Sequence, residues 1–479
     1  MLRRTKIVAT LGPATDEPGV LTEMIRAGLD VVRLNASHGT VEDRRRRLAA
    51  ARQAANRSDR CIGVLLDLGG PKIRIECFRE GPVQLIEGRP FTLDTALDPA
   101  AGSVERVGVA YKELPRDVAA GDTLLLCDGQ IVLDVERVGG TCIDTKVRVG
   151  GVLSDRKGLN RQGGGISAPA ISERDREDIR FAAEEGVDYM AVSFARDAAD
   201  IEQARSLVRA AGGEARIVAK VERHEAVENL ASIIDASDVV MVARGDLGVE
   251  MGYAELTGLQ KTIIHETRTR NRVVITATQM MESMIQSPVP TRAEVSDVAN
   301  AVIDGTDAVM LSAESAAGRY PVKAVEAMAQ VIEGAEKYQL NHPRTRQRTV
   351  EGVFKGTEEA IAMAVMYTAN HMKVRAIVAL TESGETPLWM SRIRSDIPVY
   401  AFTRHEATRR RVTLYRGVYP VIFDVTGSVS VEQLYRALFS RLLELKLVEL
   451  NDLVILTKGE LSGVQGGTNS MQILKVVLD

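Results

Sequence analysis

The stretch VVMVARGDLGVE, residues 239–250, decides the fold of this chain. Its first five residues, Val239–Ala243, are apolar and mostly β-branched, which is typical of a strand buried on both faces of a parallel sheet. Arg244, Gly245 and Asp246 follow at once. Charged groups directly after such a strand indicate that the strand delivers them to a ligand site at its carboxyl end.

Seven further segments repeat this pattern and alternate with amphipathic helical stretches. The eight apolar segments are TKIVATL, VVRLN, IGVLLDL, YMAVSF, RIVAKVE, VVMVARG, RVVITAT and AVMLSAE. Strands that alternate with helices predict a parallel α/β sheet. Eight such units, with polar residues just past the strand ends, favour a closed (β/α)₈ TIM barrel over an open doubly wound sheet.

Two regions lie outside this alternation. Residues 71–168 carry short alternating apolar runs and turn pairs such as Asp128-Gly129, which predict an inserted all-β lid domain. A polar segment after residue 340 predicts a linker, and strands and helices beyond it predict a C-terminal α/β domain. The expected domains are residues 1–70 and 169–340 for the barrel, 71–168 for the lid and 341–479 for the C-terminal domain.

Composition and charge exclude several function classes. The chain has 479 residues and a formal net charge of −4, so no charge surplus would attract nucleic acid or a membrane surface. No apolar run reaches the length of a membrane span, and the amino terminus reads as a first strand rather than a secretion signal. The four cysteines show no CxxC spacing, which favours reduced core thiols and a cytoplasmic protein.

Polar side chains follow most of the predicted strands. They are Arg33, Asn35, Ser37, His38, Asp67, Lys220, Glu222, Arg244, Asp246, Thr278, Ser312 and Glu314. Any one of them has a structural alternative, such as a helix cap for Asp246 or a turn residue for Ser37. Because the carboxyl ends of barrel strands meet at one rim, we expect the set to form an active site.

Residue types indicate the chemistry of this rim. Glu222 and Asp246 are hard oxygen ligands on neighbouring strands, which suits Mg²⁺, or Mn²⁺, better than Zn²⁺. Lys220 lies two residues before Glu222 and therefore on the same side of the strand. A lysine there can neutralise a phosphoryl group or an enolate, and Arg33 offers a fork for phosphate.

Longer segments resemble pyruvate kinases over essentially the whole chain. They are KIVATLGPAT, VVRLNASHG, DLGGPKIR, DRKGLN, AKVER, VMVARGDLGVE, ATQMMESM, PTRAEVSDVANAVIDGTDAVMLSAESAAGRYP and TESGET. The resemblance implies transfer of the phosphoryl group of phosphoenolpyruvate to ADP, giving pyruvate and ATP in the final step of glycolysis. It also implies a mobile lid, a regulatory C-terminal domain and a homotetramer.

The resemblance assigns roles to single residues. It implies that Glu222 and Asp246 hold Mg²⁺ and that Lys220 stabilises the transferring phosphoryl group and the enolate. Arg33 is expected to contact the phosphate, and Thr278 to lie near the carbon that is protonated. The implied substrate-binding residues are Arg33, Lys220, Gly245, Asp246 and Thr278. The implied nucleotide-binding residues are Asn35, Ala36, Ser37, His38, Arg74 and Lys157.

The segment DLGGPKIR departs from the common family pattern. The K⁺ ligands implied by the resemblance are Asn35, Ser37, Asp67 and the residue after it. That next residue is threonine in K⁺-requiring relatives and Leu68 here, and Lys72 stands where they carry glutamate. A fixed ammonium can take the place of a bound cation, so we expect no K⁺ requirement. The alternative is that Lys72 is a solvated loop lysine and K⁺ still binds.

The segment TESGET predicts an effector site in the C-terminal domain. It follows the strand AIVALT and precedes a helical stretch, so hydroxyls and helix amides can hold one phosphate. The expected effector residues are Thr381, Glu382, Ser383, Gly384 and Thr386. Acidic residues in the segment, and the lack of a basic residue in the final loop GVQGGTN, favour a sugar monophosphate or AMP over fructose 1,6-bisphosphate. The alternative is a simple helix cap.

Two other functions share parts of this pattern. A Mg²⁺-dependent aldolase or lyase acting on pyruvate would share Glu222 and Asp246 but needs neither a lid nor the contacts of Arg74 and Lys157 with a nucleotide. A sugar-phosphate sensor that has lost catalysis would tolerate the loss of Lys220, which is present.

Overall fold

The computed structural model of the chain describes residues 2–342, 354, 356–424, 430–459 and 467–477. Eight parallel strands close into a barrel, and each strand pairs with its neighbours in chain order. They are β1 (Lys6–Thr10), β2 (Val31–Asn35), β3 (Gly63–Asp67), β12 (Tyr189–Val192), β13 (Arg216–Val221), β14 (Val239–Ala243), β15 (Val273–Ala277) and β16 (Ala308–Leu311). These are the eight predicted segments, so the barrel is confirmed.

Helices cover the outside of the barrel. They are α1 (Val20–Ala27), α2 (Val41–Arg57), α4 (Glu173–Glu184), α5 (Ala198–Ala210), α6 (His224–Glu228), α7 (Leu230–Ala236), α8 (Arg244–Met251), α9 (Tyr253–Thr269), α10 (Arg292–Asp304), α11 (Ala313–Ala316) and α12 (Pro321–Asn341). Thr40, Ser172 and Thr291 begin α2, α4 and α10, and each accepts a hydrogen bond from the amide three residues on. These capping boxes fix where the three helices start.

Side chains alternate strictly along the barrel strands. On β14, Val239 and Met241 belong to the apolar core inside the barrel, whereas Val240 and Val242 pack against the helices. The inner core does not end at the barrel, because it is continuous with buried residues of the C-terminal domain such as Val412. The barrel and the C-terminal domain therefore share one core at the amino ends of the barrel strands.

The lid is a β domain between β3 and α4. Its strands are β4 (Val83–Leu85), β5 (Pro90–Asp94), β6 (Arg106–Gly108), β7 (Thr123–Leu126), β8 (Ile131–Gly139), β9 (Cys142–Val149), β10 (Gly151–Leu153) and β11 (Leu159–Arg161). Six of them form one sheet in the order β11-β7-β8-β9-β5-β6, and β10 pairs with β4. The predicted β lid is confirmed, with one short helix, α3 (Leu114–Asp117), that the sequence pattern did not indicate.

The C-terminal domain is an α/β sheet, as predicted. Its elements are α13 (Thr357–His371), β17 (Ala376–Leu380), α14 (Glu385–Ser391), β18 (Val399–Thr403), α15 (Glu406–Arg411), β19 (Val418–Ile422), α16 (Val431–Glu444), β20 (Leu453–Gly459) and β21 (Thr468–Lys475). The sheet order is β19-β18-β17-β20-β21. The antiparallel edge strand β21 was not predicted, because its sequence TNSMQILK is polar and largely half-exposed. Most of the predicted linker lies outside the described residues.

Two further expectations concern the whole chain. None of the helices in the described ranges is long and apolar enough to cross a membrane. All four cysteines are free thiols, but each is only partly buried, so the expectation that they lie in the core is wrong. Cys61 lies just before β3, Cys77 lies between two isolated bridges, Cys127 lies in the turn after β7 and Cys142 begins β9.

Candidate active site

The barrel mouth is the opening at the carboxyl ends of the eight barrel strands. Because side chains alternate along β13, two charged residues of this strand face into the mouth. Val218, Lys220 and Glu222 lie on the inner side, whereas Ala219 and Val221 pack outward. Val218 belongs to the apolar inner core, whereas Lys220 and Glu222 place charges at the carboxyl end of the strand. Lys220 Nζ lies 3.2 Å from Glu222 Oε2 and 3.6 Å from Asp67 Oδ1.

A cavity of about 170 Å³ opens at this mouth. Its lining residues are Arg33, Asn35, Ser37, His38, Asp67, Leu68, Gly69, Lys72, Arg74, Ser193, Phe194, Lys220, Glu222, Met241, Ala243, Asp246, Thr278 and Met310. The lining comes from the barrel strand ends and from the start of the lid. The structure therefore brings most of the predicted site residues into one cavity.

Lys220 is held in place by its neighbours. Its ammonium donates a hydrogen bond of 2.8 Å to Ser193 Oγ. Burial alone would lower the pKa of Lys220, but the carboxylates of Asp67 and Glu222 outweigh it and raise the pKa above its ordinary value. Lys220 is consequently a fixed positive charge at the centre of the mouth.

The two oxygens of Glu222 differ, because one accepts a hydrogen bond and the other has only an ion-pair contact with Lys220. Its Oε1 accepts a hydrogen bond of 2.7 Å from the backbone N–H of Phe194, whereas the buried Oε2 has no hydrogen-bond partner among the described residues. Burial raises the pKa of Glu222; Lys220 opposes this shift and Asp246 adds to it. A hard cation between the two carboxylates would satisfy this oxygen and remove their repulsion, so the residues present fit a magnesium ion.

Asp246 lies in the first turn of α8, next to a lysine of the lid segment. Lys72 Nζ is 3.2 Å from Asp246 Oδ1. The Lys72 side chain passes under the returning lid chain, since a Cβ added at Gly158 would lie 3.0 Å from Lys72 Cε. The ammonium that the sequence assigns to the K⁺ position therefore contacts one of the predicted magnesium ligands.

Arg33 and Asp67 form a buried pair at the opposite wall. Arg33 Nε and Nη2 lie 2.8 and 2.7 Å from Asp67 Oδ2, and Arg33 Nη1 donates to Thr10 Oγ1. Burial raises the pKa of Asp67, but Lys220 and Arg33 outweigh this effect and hold the pKa below its ordinary value. Asp67 is therefore ionised and orients Arg33 toward the cavity.

Thr278 closes the mouth in an unusual backbone conformation. Its φ of +68° lies in the left-handed region, which is costly for a β-branched residue. Its hydroxyl accepts a hydrogen bond of 2.8 Å from the N–H of Gly245 and donates to the Ala277 carbonyl. The amide of Gly245, one of the predicted substrate-binding residues, is therefore engaged by Thr278 in this conformation.

The predicted nucleotide residues divide into two groups. Asn35, Ser37, His38 and Arg74 line the cavity. Burial lowers the pKa of His38, and the charges of Arg74 and Arg33 lower it further, so the wall around His38 is strongly cationic. Ala36 and Lys157 are not among the lining residues. The Ala36 side chain packs into the outer core, and Lys157 is exposed on the lid.

Three of the predicted polar residues at the strand ends, Arg244, Ser312 and Glu314, do not line the cavity but support its walls. Arg244 turns outward and donates two bonds of 2.7 Å to Asp297. Glu314 accepts the amides of Met281 and Ser312. Since inner positions on β14 are odd-numbered, Arg244 falls on the outer side, and the same alternation in the sequence indicates this orientation.

Sequence reasoning missed three residues of the site. Ser193 donates to the Leu68 carbonyl, besides accepting from Lys220, and so ties the lysine to the DLGG loop. Phe194 has a φ of +57°, which turns its amide toward Glu222. Gly70, at φ +62°, lies so close to Ser193 that an added Cβ would stand 2.8 Å from the serine Cβ. The sequence signal that could have identified Ser193 and Phe194 is the end of the segment YMAVSF, where uncharged residues follow a predicted strand.

The predicted effector segment is a loop between β17 and α14. Thr381 Oγ1 accepts from the Gly384 amide at 2.9 Å, and the buried Thr386 hydroxyl pairs with Thr468 at 2.7 Å. Glu382 contacts Arg404 and His405, which the sequence did not associate with this loop. Residues 460–466, which include most of the predicted final loop, lie outside the described residues.

The closed barrel, the inserted lid and the mouth with paired carboxylates and a fixed lysine define a (β/α)₈-barrel enzyme built for an anionic substrate. The family description "Pyruvate kinase, barrel domain" matches residues 2–325, and "Pyruvate kinase, alpha/beta domain" matches residues 359–474. The chain belongs to the pyruvate kinase family, and it is a phosphotransferase.

Individual relatives agree with this assignment over nearly the whole chain. Pyruvate kinase II of Salmonella typhimurium is 53% identical, with 99% of each chain covered. A pyruvate kinase of Haemophilus influenzae is 51% identical, with 96% of each covered. A crystal structure of a pyruvate kinase from Cryptosporidium parvum superposes with a TM-score of 0.90 at 33% identity, covering 99% of this chain and 96% of that one.

Proposed function

We propose that the chain transfers the phosphoryl group of phosphoenolpyruvate to ADP with the help of Mg²⁺, or Mn²⁺, as the final step of glycolysis. The bond between phosphorus and the enol oxygen breaks, a bond to the terminal phosphate oxygen of ADP forms, and the enolate takes a proton at carbon to give pyruvate. The observation that carries this proposal is the buried Glu222 Oε2, which accepts no hydrogen bond from the described residues, lies 3.2 Å from Lys220 Nζ and is repelled by Asp246. A bound magnesium ion would neutralise phosphoryl oxygens there.

On the substrate side, the charged residues of the mouth have complementary roles. Lys220 stabilises the negative charge of the transferring group and of the enolate, because its ammonium is fixed by Ser193 and raised in pKa. Arg33, held by Asp67, presents its fork to the phosphate. Thr278 lies next to the carbon to be protonated. For the substrate carboxylate to reach the Gly245 amide, the Thr278 hydroxyl has to yield that hydrogen bond.

On the nucleotide side, the proposed contacts are Asn35, Ala36, Ser37, His38, Arg74 and Lys157. The cationic wall around His38 supports this part, since ADP carries several negative charges. Ala36 can contribute its backbone only, because its side chain is buried. Lys157, exposed on the lid, reaches the phosphates only if the lid closes, which would also exclude water.

The enzyme needs no K⁺ in this proposal. Lys72 supplies a tethered positive charge at the mouth, and its contact with Asp246 places that charge beside the metal position. Leu68 offers no side-chain oxygen, and its carbonyl already accepts from Ser193. The oxygens of Asn35, Ser37 and Asp67 remain as candidate K⁺ ligands if the position is occupied.

The regulatory part of the proposal is an activating monophosphate at the loop 381–386. Arg404 and His405 support an anion site there, because both could exchange Glu382 for a phosphate. The effector would be a sugar monophosphate or AMP. We further propose a cytoplasmic homotetramer, which rests on membership of the family alone.

A coupled assay for pyruvate with phosphoenolpyruvate, ADP and Mg²⁺ tests the reaction. We expect turnover that needs all three components and produces ATP in equal amount. Pyruvate formed without ADP, or from a larger 2-keto acid by cleavage, would favour the aldolase or lyase. No turnover in the folded protein, together with binding of sugar phosphates, would favour the sensor.

A further inference from the structure

A cavity of about 730 Å³ lies at the end of the barrel opposite the mouth. It lies between the barrel and the C-terminal domain, at the amino ends of their strands, and is open to solvent on one side. Arg4 precedes β1, Arg375 precedes β17, Arg416 precedes β19 and Asp452 precedes β20. Its volume is in the range of about 300 to 1,000 Å³ that is usual for small-molecule sites.

The lining of this cavity has a surplus of positive charge. Five cationic lining residues face two acidic ones, and the buried Glu336 behind the lining lies 3.5 Å from Arg4 and 3.7 Å from Arg416, which leaves two positive charges in excess. The cationic residues are Arg4, Lys373, Arg375, Arg394 and Arg416, and the acidic ones are Asp396 and Asp452. Asp396 pairs with Arg4 at 2.8 Å, and Asp452 lies 3.9 Å from Arg375. The two acids are thus largely engaged by two of the cations.

The inner arginines are buried close to each other. Burial lowers the pKa of Arg394 to about 10, and repulsion from Arg416 and Arg4 adds to this shift. Arg416 reaches Glu336 only at 3.7 Å, and its buried Nε has no hydrogen-bond partner among the described residues. An anion between these arginines would remove the repulsion and satisfy the free donor.

The arginines are also held in place before any ligand arrives. Arg4 Nη1 donates to the Ser395 carbonyl at 3.0 Å, and Arg394 Nη2 donates to the Ile303 carbonyl at 2.9 Å. Both bonds cross between the barrel and the C-terminal domain. Apolar side chains complete the walls, namely Leu340, Met372, Val374, Ile397 and Leu453. A cationic floor with apolar walls fits a compact molecule that carries one phosphate group.

This cavity is distinct from the effector loop. Arg375 precedes the five-residue strand β17 and Thr381 follows it, so the two places lie at opposite ends of the strand. At about 3.3 Å per residue, that separates them by roughly 20 Å. One ligand of sugar-phosphate size cannot contact both.

We propose that the cavity between the amino end of the barrel and the C-terminal domain binds a small phosphate-bearing metabolite. The arginine forks bind the phosphate, and the apolar walls contact the remainder of the molecule. Because the ligand touches both domains, its binding stabilises their contact. This site is independent of the proposed reaction, since no residue of the mouth takes part.

Calorimetric titration of the full chain with ribose 5-phosphate, inorganic phosphate and ribose tests the proposal. The informative variants are Arg375→Glu and Lys373→Ala, because both side chains are exposed at the cavity entrance and the fold should tolerate the changes. Lys323→Ala, on the outer face of α12, is the matched control. Thr381→Ala reports on the effector loop.

We expect a phosphate-bearing probe to bind the wild type, with ribose silent, and the Arg375→Glu variant to bind it at least tenfold more weakly. Lys373→Ala should weaken binding by a smaller factor, whereas Lys323→Ala and Thr381→Ala should leave this binding event unchanged. Three results would overturn the proposal: no binding of either phosphate probe to the wild type, equal affinity in the wild type and both cavity variants, or loss of all phosphate binding in Thr381→Ala alone.

Discussion

The barrel mouth and the effector loop both lie at the carboxyl ends of parallel strands, yet their polar groups are arranged differently. In the mouth, Glu222 Oε2 accepts no hydrogen bond from the described residues, and the charges around it are fixed on strands. In the loop, Thr386 pairs with Thr468 and Glu382 pairs with Arg404. A mouth that needs a ligand to complete it is suited to catalysis, whereas a loop that must exchange partners to bind is suited to regulation.

The largest expected effect is the loss of turnover in Lys220→Met. Removing one preorganised charge from a catalytic site costs about 10²-fold or more in rate, and the coupled pyruvate assay should show at least that loss. Circular dichroism should show an intact fold, with the exposed Lys323→Met as control. Turnover within tenfold of wild type in the folded variant would contradict the role of Lys220.

A second effect concerns Glu250, the last residue of the stretch VVMVARGDLGVE, which lies beneath the lid strand β11. Burial raises its pKa to about 7, while the His224 amide and Arg223 oppose the shift. The folded chain therefore binds a proton between about pH 4.5 and 7 that the unfolded chain releases. Stability should fall as pH rises through this window, by roughly 3 kcal/mol, and remain lower above it.

The measurement for Glu250 is the free energy of unfolding across pH in wild type and in Glu250→Gln. The glutamine keeps an acceptor for the His224 amide but cannot ionise. We expect the stability of the variant to depend less steeply on pH. The two slopes should differ only between pH 4.5 and 7. Parallel curves for the two proteins would show that Glu250 titrates normally.

The next effect is on metal affinity. Glu222→Gln keeps the hydrogen bond from Phe194 but removes the charge, so the half-saturating Mg²⁺ concentration should rise on the order of tenfold or more. Direct titration with Mn²⁺, followed by electron paramagnetic resonance, separates metal binding from catalysis. Unchanged Mn²⁺ affinity in the variant would remove Glu222 from the metal site.

Substitution of Lys72 is expected to have an effect of similar size, on the dependence of turnover on K⁺. In K⁺-free buffer with a bulky organic counterion, the wild type should retain most of its turnover. Lys72→Glu should lose roughly tenfold and recover on addition of KCl, because a bound cation replaces the tethered one. A wild type that is nearly inactive until KCl is added would refute the substitution of K⁺ by Lys72.

The smallest expected effect is in the effector loop. Thr381→Ala removes a hydroxyl that accepts the Gly384 amide, so the activating concentration of a sugar monophosphate should rise about threefold to tenfold, the scale of one hydrogen bond. Turnover at saturating phosphoenolpyruvate should stay near that of the wild type. Thr141→Ala, an exposed hydroxyl of the lid, is the control. Stronger activation by fructose 1,6-bisphosphate than by any monophosphate would contradict the proposed effector class.

The comparison of the barrel mouth with the effector loop also shows which features could be predicted from the sequence. Strand alternation with period two was sufficient to place Lys220 and Glu222 on one side, and the eight apolar runs were sufficient for the barrel. Phe194 was not predicted because its contribution depends on a backbone φ of +57°, which a residue type does not reveal. Ser193 was not predicted because its contacts with Lys220 and the Leu68 carbonyl are tertiary. The contacts of the effector loop with Arg404 depend on the packing of β18 beside β17, which is a tertiary property.

Tertiary assembly also accounts for the cavity at the amino end of the barrel. Its arginines come from the first residues of the chain and from three loops of the C-terminal domain, and no motif links them. The edge strand β21 was not predicted from the sequence for a related reason. Its pairing with β20 is stabilised by neighbouring residues rather than by an apolar pattern of its own.

Phosphorus NMR of phosphoenolpyruvate and ADP with Mg²⁺ tests most directly that the mouth performs the chemistry and the loop only adjusts it. Both substrates are supplied at saturation to wild type, Lys220→Met and Thr381→Ala. We expect the phosphoenolpyruvate signal to give way to ATP at similar rates with wild type and Thr381→Ala, and to persist with Lys220→Met. Conversion by Lys220→Met at the wild-type rate, or its abolition in Thr381→Ala, would contradict this expectation.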